Sequence, residues 1–131
     1  MNKIAIVILP FFLVQSKMPA QNFPAWVNGA WEGIGYQLNS ETTWSIRFIP
    51  GENSSKIFYP SLECGGTWTL QSSEPSKLVF FEEILEGTLR CTNYGKVVIT
   101  PVDATHISFT YYNPNLGTVN AFSTLEKVPE N

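Results

Sequence analysis

The sequence has few cysteines, few histidines and few charged residues. Its 131 residues include two cysteines, one histidine and two methionines, and 15% of them are charged. Cys64, Cys91 and the distant His106 do not have the spacing of a zinc site. The sequence also lacks the motifs of serine hydrolases, zinc proteases and phosphate-binding loops. We therefore expect no metal, no cofactor and no catalytic centre of these classes.

Basic residues are outnumbered by acidic residues. Eight Lys and Arg residues stand against eleven Asp and Glu residues, which gives a net charge of −3. Nucleic acids and anionic membranes bind proteins through Lys and Arg side chains that neutralise phosphate groups. The composition therefore predicts no nucleic-acid partner.

The first twenty residues have the pattern of an export signal. A lysine precedes the apolar run Ile4–Val14, which is eleven residues long. A bilayer takes about 20 residues to cross, so this run suits a signal peptide better than a membrane span. We predict a signal peptide over residues 1–20, cleaved after Ser16 or Ala20, with a retained N-terminal anchor as the alternative. Residues 21–131 then form a single secreted or periplasmic domain, with no stable membrane insertion after cleavage.

Both cysteines lie in the predicted exported domain. An oxidising compartment favours one disulfide between Cys64 and Cys91. In the loop-entropy model, closing a loop of this length restricts the unfolded chain by about 3–4 kcal/mol.

The rest of the chain alternates apolar and polar residues with the period of β-strands, and helical periodicity does not extend beyond a turn or two. Glycines in the first strand predict a bend that suits a closing barrel. The predicted strands are Ala30–Leu38, Thr42–Ile49, Lys56–Tyr59, Thr67–Gln71, Lys77–Leu85, Thr88–Thr92, Lys96–Thr100, His106–Tyr112 and Thr118–Lys127. Short turns between strands favour antiparallel pairing. We predict an all-β, antiparallel up-and-down β-barrel of about eight strands, with a β-sandwich as the alternative.

Two parts of the sequence resemble known proteins. Gly29-Ala30-Trp31 resembles the G-x-W start of lipocalin- and avidin-type barrels, the calycin group. The pattern YPSLxCGGxWxL over Tyr59–Leu70, followed by FxExIxxGxxxC over Phe80–Cys91, resembles a family of small extracytoplasmic β-domains. In some bacteria these domains are attached to membrane serine/threonine kinases. The resemblance covers Trp31–Val98.

This resemblance implies a calycin-like barrel, a disulfide between Cys64 and Cys91, and a structural role for Glu82. It implies no activity and no catalytic residue. Within the first pattern, Pro60 is expected to end one strand and Gly65-Gly66 to begin the next, so that the segment forms a corner.

Glu82 is the most informative polar residue, because it lies between Phe80 and Ile84 on an apolar face. Burial without a partner is costly and raises the pKa of a carboxyl group. One hypothesis is a general acid or a ligand-orienting group. The alternative, which the pattern favours, is a structural carboxylate bonded to Arg90, Arg47 or backbone N–H groups. The single histidine, His106, is expected to be a surface residue rather than a catalytic base.

Aromatic side chains are the best candidates for a binding site. Small-molecule sites combine apolar walls with a few oriented polar groups. Eight strands leave little free volume, however, so the same rings would also suit a filled core. The candidate ligand-facing residues are Trp31, Tyr36, Trp44, Trp68, Glu82 and Tyr111.

These features predict a secreted or periplasmic, non-catalytic binding module. Its ligand would be a small apolar molecule in the barrel mouth or a partner protein on a rim formed by the turns. A protein inhibitor of an extracellular hydrolase is the alternative function. An enzyme that uses Glu82 is a third hypothesis.

Overall fold

The structure, a computed structural model, describes residues 23–130, and most of them lie in β-strands. The strands are β1 (Trp31–Gln37), β2 (Thr42–Ile49), β3 (Ser55–Tyr59), β4 (Cys64–Glu74), β5 (Lys77–Glu86), β6 (Lys96–Asp103), β7 (His106–Tyr112) and β8 (Val119–Lys127). Short 3-10 turns at Ala25–Val27 and Pro60–Leu62 precede β1 and β4. The predicted signal peptide over residues 1–20 lies outside the described residues. Within residues 23–130, no helix has the length and apolar character needed to span a membrane.

The eight strands form one closed antiparallel barrel. Each strand pairs with its neighbours in sequence, and β1 also pairs with β8. Closure removes the free sheet edges that would otherwise pair with other chains. The predicted all-β, up-and-down barrel is therefore confirmed, and the β-sandwich alternative is wrong. The architecture is consistent with a calycin-like fold.

The segment Thr88–Thr92 forms a turn, so the prediction of a strand there is wrong. Gly87 has φ +71°, and a Cβ built on it would lie 2.5 Å from the carbonyl oxygen of Glu63. The chain therefore leaves the sheet at Gly87 and passes close to the β3–β4 connection, a path that favours glycine. The Arg90 N–H donates to the Gly87 carbonyl at 2.9 Å, which closes the turn. Cys91 consequently lies in the loop between β5 and β6.

The predicted corner between β3 and β4 is present. β3 ends at Tyr59, and Glu63 adopts a left-handed conformation with φ 56° just before β4 begins at Cys64. A disulfide joins Cys64 to Cys91, with their Cα atoms 6.5 Å apart. The disulfide therefore connects the start of β4 to the β5–β6 loop and confirms the predicted cross-link.

Aromatic rings fill the middle of the barrel. Trp68 packs against Phe48 at 4.7 Å, Phe80 at 5.3 Å and Phe109 at 5.8 Å between ring centroids. All four side chains are fully buried. Burial of this much aromatic surface is a major source of stability in a small barrel.

Strand β5 carries apolar residues on both faces, and its inward set is Leu78, Phe80, Glu82 and Ile84. On the outer face, Phe81 stacks on Tyr94 of the β5–β6 loop, with ring centroids 5.9 Å apart. The loop thus covers part of the outer apolar face.

One end of the barrel, the closed end, lies at the start of β1. The fully buried Trp31 donates its indole N–H to the Val27 carbonyl at 2.8 Å. The Lys127 ammonium lies 5.6 Å from the centroid of the Trp31 ring, within cation–π range. The short turn before β1 and the last residue of β8 therefore hold Trp31 in place.

Candidate functional site

The other end of the barrel, the loop end, contains a cavity of about 200 Å³. This end carries the β1–β2, β3–β4, β5–β6 and β7–β8 connections. Its apolar lining includes Trp44, Tyr59, Leu62 and Tyr111, and its polar lining includes Gln37, Glu82, Arg90, Thr92 and Asn120.

Two of the aromatic walls lie directly against glycines. Gly35 of β1 pairs with Trp44 of β2, and a Cβ built on Gly35 would lie 2.3 Å from the indole ring. A Cβ on Gly95 would lie 2.1 Å from the ring of Tyr111. The Trp44 ring also meets the Tyr59 ring edge-on, with centroids 5.2 Å apart. Close packing against the backbone therefore fixes the aromatic walls in position.

Glu82 lies beneath these walls and is 1% exposed. The Tyr59 hydroxyl and the Trp68 indole N–H both donate hydrogen bonds to its Oε2 atom, the latter at 2.9 Å. Among the described residues, none hydrogen-bonds to the other carboxyl oxygen, Oε1. Burial raises the pKa of Glu82 from 4.5 to about 7, although the hydrogen bonds from Trp68 and Tyr59 act in the opposite direction. The cavity therefore contains a carboxyl group that titrates near neutrality.

The partners predicted for Glu82 were wrong. Arg90 donates instead to the carbonyl oxygens of Leu62 and Glu63, at 3.1 and 3.2 Å. Arg47 lies on the outer face of β2, with its guanidinium 3.9 Å from the Glu32 carboxylate. The hydroxyl of Tyr59 and the indole N–H of Trp68 therefore hold Glu82, where the sequence predicts a guanidinium or backbone N–H groups.

Tyr59 and Tyr111 remain protonated at neutral pH. Burial is the largest cause of a strongly raised pKa for Tyr59, and the charge of Glu82 adds to it. The same two causes raise the pKa of Tyr111. Neutral phenol groups donate hydrogen bonds, and the Tyr111 hydroxyl donates to the Thr92 carbonyl at 3.4 Å.

Asn120 joins the site because of a β-bulge. Tyr111 pairs with Ala121 and Tyr112 with Val119, so Asn120 is an additional residue in β8. Both Asn120 and Ala121 are buried and line the cavity. Within residues 23–130 the Asn120 side chain has no hydrogen-bond partner, whereas the backbone carbonyl of Asn120 accepts from the Leu38 N–H at 2.9 Å. Strict alternation along the predicted strand Thr118–Lys127 would turn Asn120 outward, so the sequence carried no signal for it.

The structure brings three of the predicted ligand-facing residues together, because Trp44, Glu82 and Tyr111 all line the cavity. Trp68 reaches Glu82 from the filled core. Trp31 lies at the closed end, and Tyr36 packs against the half-exposed Phe122 with ring centroids 5.7 Å apart. Trp31, Tyr36 and Trp68 are therefore not part of the cavity lining.

His106 lies near the closed end, at the β6–β7 turn. Its side chain is 35% exposed, and its Nδ1 atom lies 2.8 Å from the Asp103 carboxylate. Across residues 23–130, no group of three or more His, Cys, Asp and Glu side chains is arranged to hold a metal ion.

The cavity is lined by a carboxyl group with a pKa of about 7, by a buried asparagine and by closely packed aromatic side chains. Such a site can hold a small molecule by its apolar body and orient its polar group through hydrogen bonds. No protein-family model matches the chain, and the comparisons with curated proteins and with solved structures found no match either.

Proposed function

We propose that the protein is a non-catalytic binding module that takes a small molecule in the cavity at the loop end. One observation carries the proposal. Glu82 and Asn120 are both buried and both line this cavity, and neither Glu82 Oε1 nor the Asn120 side-chain amide has a hydrogen-bond partner within the described part of the chain. An unsatisfied buried polar group costs about 1–3 kcal/mol. A ligand that satisfies both groups would recover this free energy.

The lining favours a molecule with a short apolar body and one polar group. Trp44, Tyr59 and Leu62 offer apolar contact, whereas Glu82 and Asn120 offer hydrogen bonds. A purely apolar ligand would leave both polar groups unsatisfied, so it suits the cavity less well than an amphipathic one.

We also propose that the protein works outside the cytoplasm, as a secreted or periplasmic member of the calycin-like family that its sequence resembles. The disulfide between Cys64 and Cys91 supports this location, because such bonds persist mainly in oxidising compartments.

The indole N–H signals of Trp44 and Trp31 provide the test, since Trp44 lines the cavity and Trp31 lies at the closed end. We would titrate the protein with small amines, alcohols and carboxylates that share the same apolar body, and follow both signals by NMR. A saturable shift of the Trp44 signal, with Trp31 unchanged, would support the proposal. If no compound at millimolar concentration moves the Trp44 signal, the cavity is not a small-molecule site of this kind.

A second candidate function, binding of a partner protein, is favoured by leucines at the loop end. Each of the four connections there supplies one, and we name Leu38, Leu62, Leu89 and Leu116 the rim leucines. Leu89 is 99% exposed and Leu116 is 74% exposed. Exposed apolar side chains grouped on one surface are typical of interaction sites. Inhibition of an extracellular hydrolase would be one form of this function.

Pull-down from culture fluid or cell envelope tests the second candidate. We would compare the wild-type protein with the double variant Leu89→Asp/Leu116→Asp. The control is Val102→Asp, because Val102 is 56% exposed but lies near the closed end. A hydrolase recovered in stoichiometric amount by the wild type and by Val102→Asp, but not by the rim variant, would support it. Equal recovery by all three proteins would place the interaction elsewhere.

A further inference from the structure

We propose that the cavity selects a small organic cation, an ammonium with a short apolar or aromatic body, and that Glu82 is its counter-ion. This inference rests on the proposed function, because it names the ligand class of the same cavity. Hydrogen-bond donors, aromatic walls and the positions of the charged groups argue for it separately.

The donors next to Glu82 are already used within the protein. The Tyr59 hydroxyl and the Trp68 indole N–H are both committed to Oε2. In the part of the chain that the structure describes, Oε1 receives no hydrogen bond. An ionised carboxylate oxygen can only accept hydrogen bonds, so its natural complement is a ligand that donates them.

The donors of the walls are used as well. The Trp44 indole N–H donates to Gln37 Oε1 at 3.1 Å, and the Tyr111 hydroxyl is directed at the Thr92 carbonyl at 3.4 Å. Both acceptors line the cavity. Each oxygen retains a second lone pair, so the walls offer further acceptor capacity to an N–H group.

The rings of Trp44, Tyr59 and Tyr111 form the aromatic part of the same lining. The face of an aromatic ring attracts a cation through its quadrupole, and this attraction strengthens when water is excluded. Aromatic walls around a carboxylate therefore favour a cation over a neutral molecule of the same shape.

The charge states of the titratable groups around Glu82 support a cationic ligand. Tyr59 of β3 and Tyr111 of β7 are neutral at physiological pH, because burial raises the pKa of both. Among the described residues that line the cavity, Arg90 is the only Lys or Arg. Its guanidinium is directed at the carbonyls of Leu62 and Glu63 and lies 4.0 Å from the Glu63 carboxylate. In the part of the chain that the structure describes, the hydrogen bonds of Arg90 thus go to the β3–β4 connection and not to Glu82.

Binding of a cation would be coupled to loss of a proton from Glu82. The pKa of this carboxyl group is about 7 without ligand, and a bound ammonium favours its charged form. Below about pH 7 the protein must therefore release a proton when the cation binds. The affinity should fall roughly tenfold for each pH unit below 7 and level off above about pH 8.

Three probes with a common phenyl body test the assignment: phenethylamine, phenethyl alcohol and phenylacetate. Each is titrated into the wild-type protein by calorimetry in buffers of different ionisation enthalpy, which measures proton release. We expect phenethylamine to bind at least tenfold more tightly than the other two and to release up to one proton near pH 6. If the alcohol or the carboxylate binds as tightly or more tightly, the cation assignment is wrong, but the cavity remains a small-molecule site. If none of the three moves the Trp44 signal, both proposals fail.

The variant Glu82→Gln tests whether the negative charge of Glu82 is needed for binding of the cation. Glutamine keeps an acceptor for Tyr59 and Trp68 but carries no charge, so it should abolish the preference for the amine and the proton release. Glu83→Gln is the matched control, because Glu83 is the next residue of β5 and is exposed on its outer face. Unchanged amine affinity in a folded Glu82→Gln variant would overturn the inference. If that variant does not fold, proton release by the wild-type protein decides the question.

Discussion

The Tyr59 hydroxyl donates a hydrogen bond to the Glu82 carboxylate across the interior of the barrel. Tyr59 ends β3 and Glu82 lies in β5, so the bond spans the intervening strand β4. From β4, Trp68 donates to the same oxygen at 2.9 Å. One carboxyl oxygen thus ties together three consecutive strands, while the second, Oε1, receives no hydrogen bond within the described residues.

Substitution of Tyr59 by phenylalanine should destabilise the protein and raise the pKa of Glu82 above 7. The variant removes a hydrogen bond that lowers this pKa and leaves a buried carboxyl group with one donor fewer. We expect the free energy of unfolding at neutral pH to fall by about 1–3 kcal/mol. Urea denaturation measures the loss, and NMR titration of the carboxyl carbon measures the pKa. Tyr94→Phe is the control, because the Tyr94 side chain is 55% exposed; an equal loss in both variants would contradict the prediction.

Protonation of Glu82 should make the folded protein more stable in mild acid than at slightly alkaline pH, as far as this one group is concerned. The folded protein keeps the proton up to about pH 7, whereas the unfolded chain loses it near pH 4.5. The contribution is therefore fully present below pH 4.5 and is lost as the pH rises through 7. This difference in pKa corresponds to about 3 kcal/mol. Urea denaturation between pH 4.5 and pH 8 should show that the free energy of unfolding of the wild-type protein falls as the pH rises. If the same fall occurs in Glu82→Gln, another titrating group causes it.

Much of the barrel could be predicted from the sequence, because period-two alternation decides which residues face inward. In β2 the residues Trp44, Ile46 and Phe48 are buried, as the alternation predicts. Tyr59–Leu70 was predicted as a corner because a proline ends one strand and two glycines begin the next. These features act over a few residues, so they are visible without the rest of the fold.

The cavity could be predicted only in part, because its polar groups depend on contacts between distant strands. Glu82 was identified from its apolar neighbours, but its donors come from β3 and β4, and no local pattern specifies them. Asn120 turns inward through a bulge that exists only in the pairing of β8 with β7. Thr88–Thr92 alternates like a strand, yet the path of the chain at Gly87 removes it from the sheet.

Loss of the disulfide should destabilise the protein and loosen the cavity. Cys64 and Cys91 are 27 residues apart, and opening a loop of this size costs about 3–4 kcal/mol in the loop-entropy model. Cys91 and Thr92 line the cavity, so its wall should become mobile. We expect a lower melting temperature for Cys64→Ser/Cys91→Ser and for the wild type under reducing conditions. The reductant should not affect the double variant, and an unchanged wild-type melting curve would show that the bond contributes nothing.

Substitution of Gly35 by alanine should displace the Trp44 ring. The added Cβ would lie 2.3 Å from the ring, closer than real contacts allow. We expect a loss of about 1–3 kcal/mol in stability and a shift of the Trp44 indole signal. A double-mutant cycle with Trp44→Leu tests the cause, because removal of the ring should make Gly35→Ala much less costly. Equal costs in the two backgrounds would mean that the contact with the ring is not the cause of the loss.

Substitution of Asn120 by leucine should stabilise the protein while it weakens binding in the cavity. The Asn120 amide is 8% exposed and has no hydrogen-bond partner in residues 23–130, so its replacement by an apolar side chain removes a desolvation cost of about 1–3 kcal/mol. Ser123 is the matched contrast on the same strand, because its buried hydroxyl donates to the Ile34 carbonyl at 2.7 Å. Ser123→Ala should therefore destabilise the protein without affecting the cavity.

Urea denaturation measures the change in stability of each variant, and the phenethylamine titration measures the change in binding. A gain in stability for Asn120→Leu with loss of binding would mean that the amide is kept for the ligand, since the fold alone is better served by leucine. A loss of stability would mean that the amide has a structural role instead.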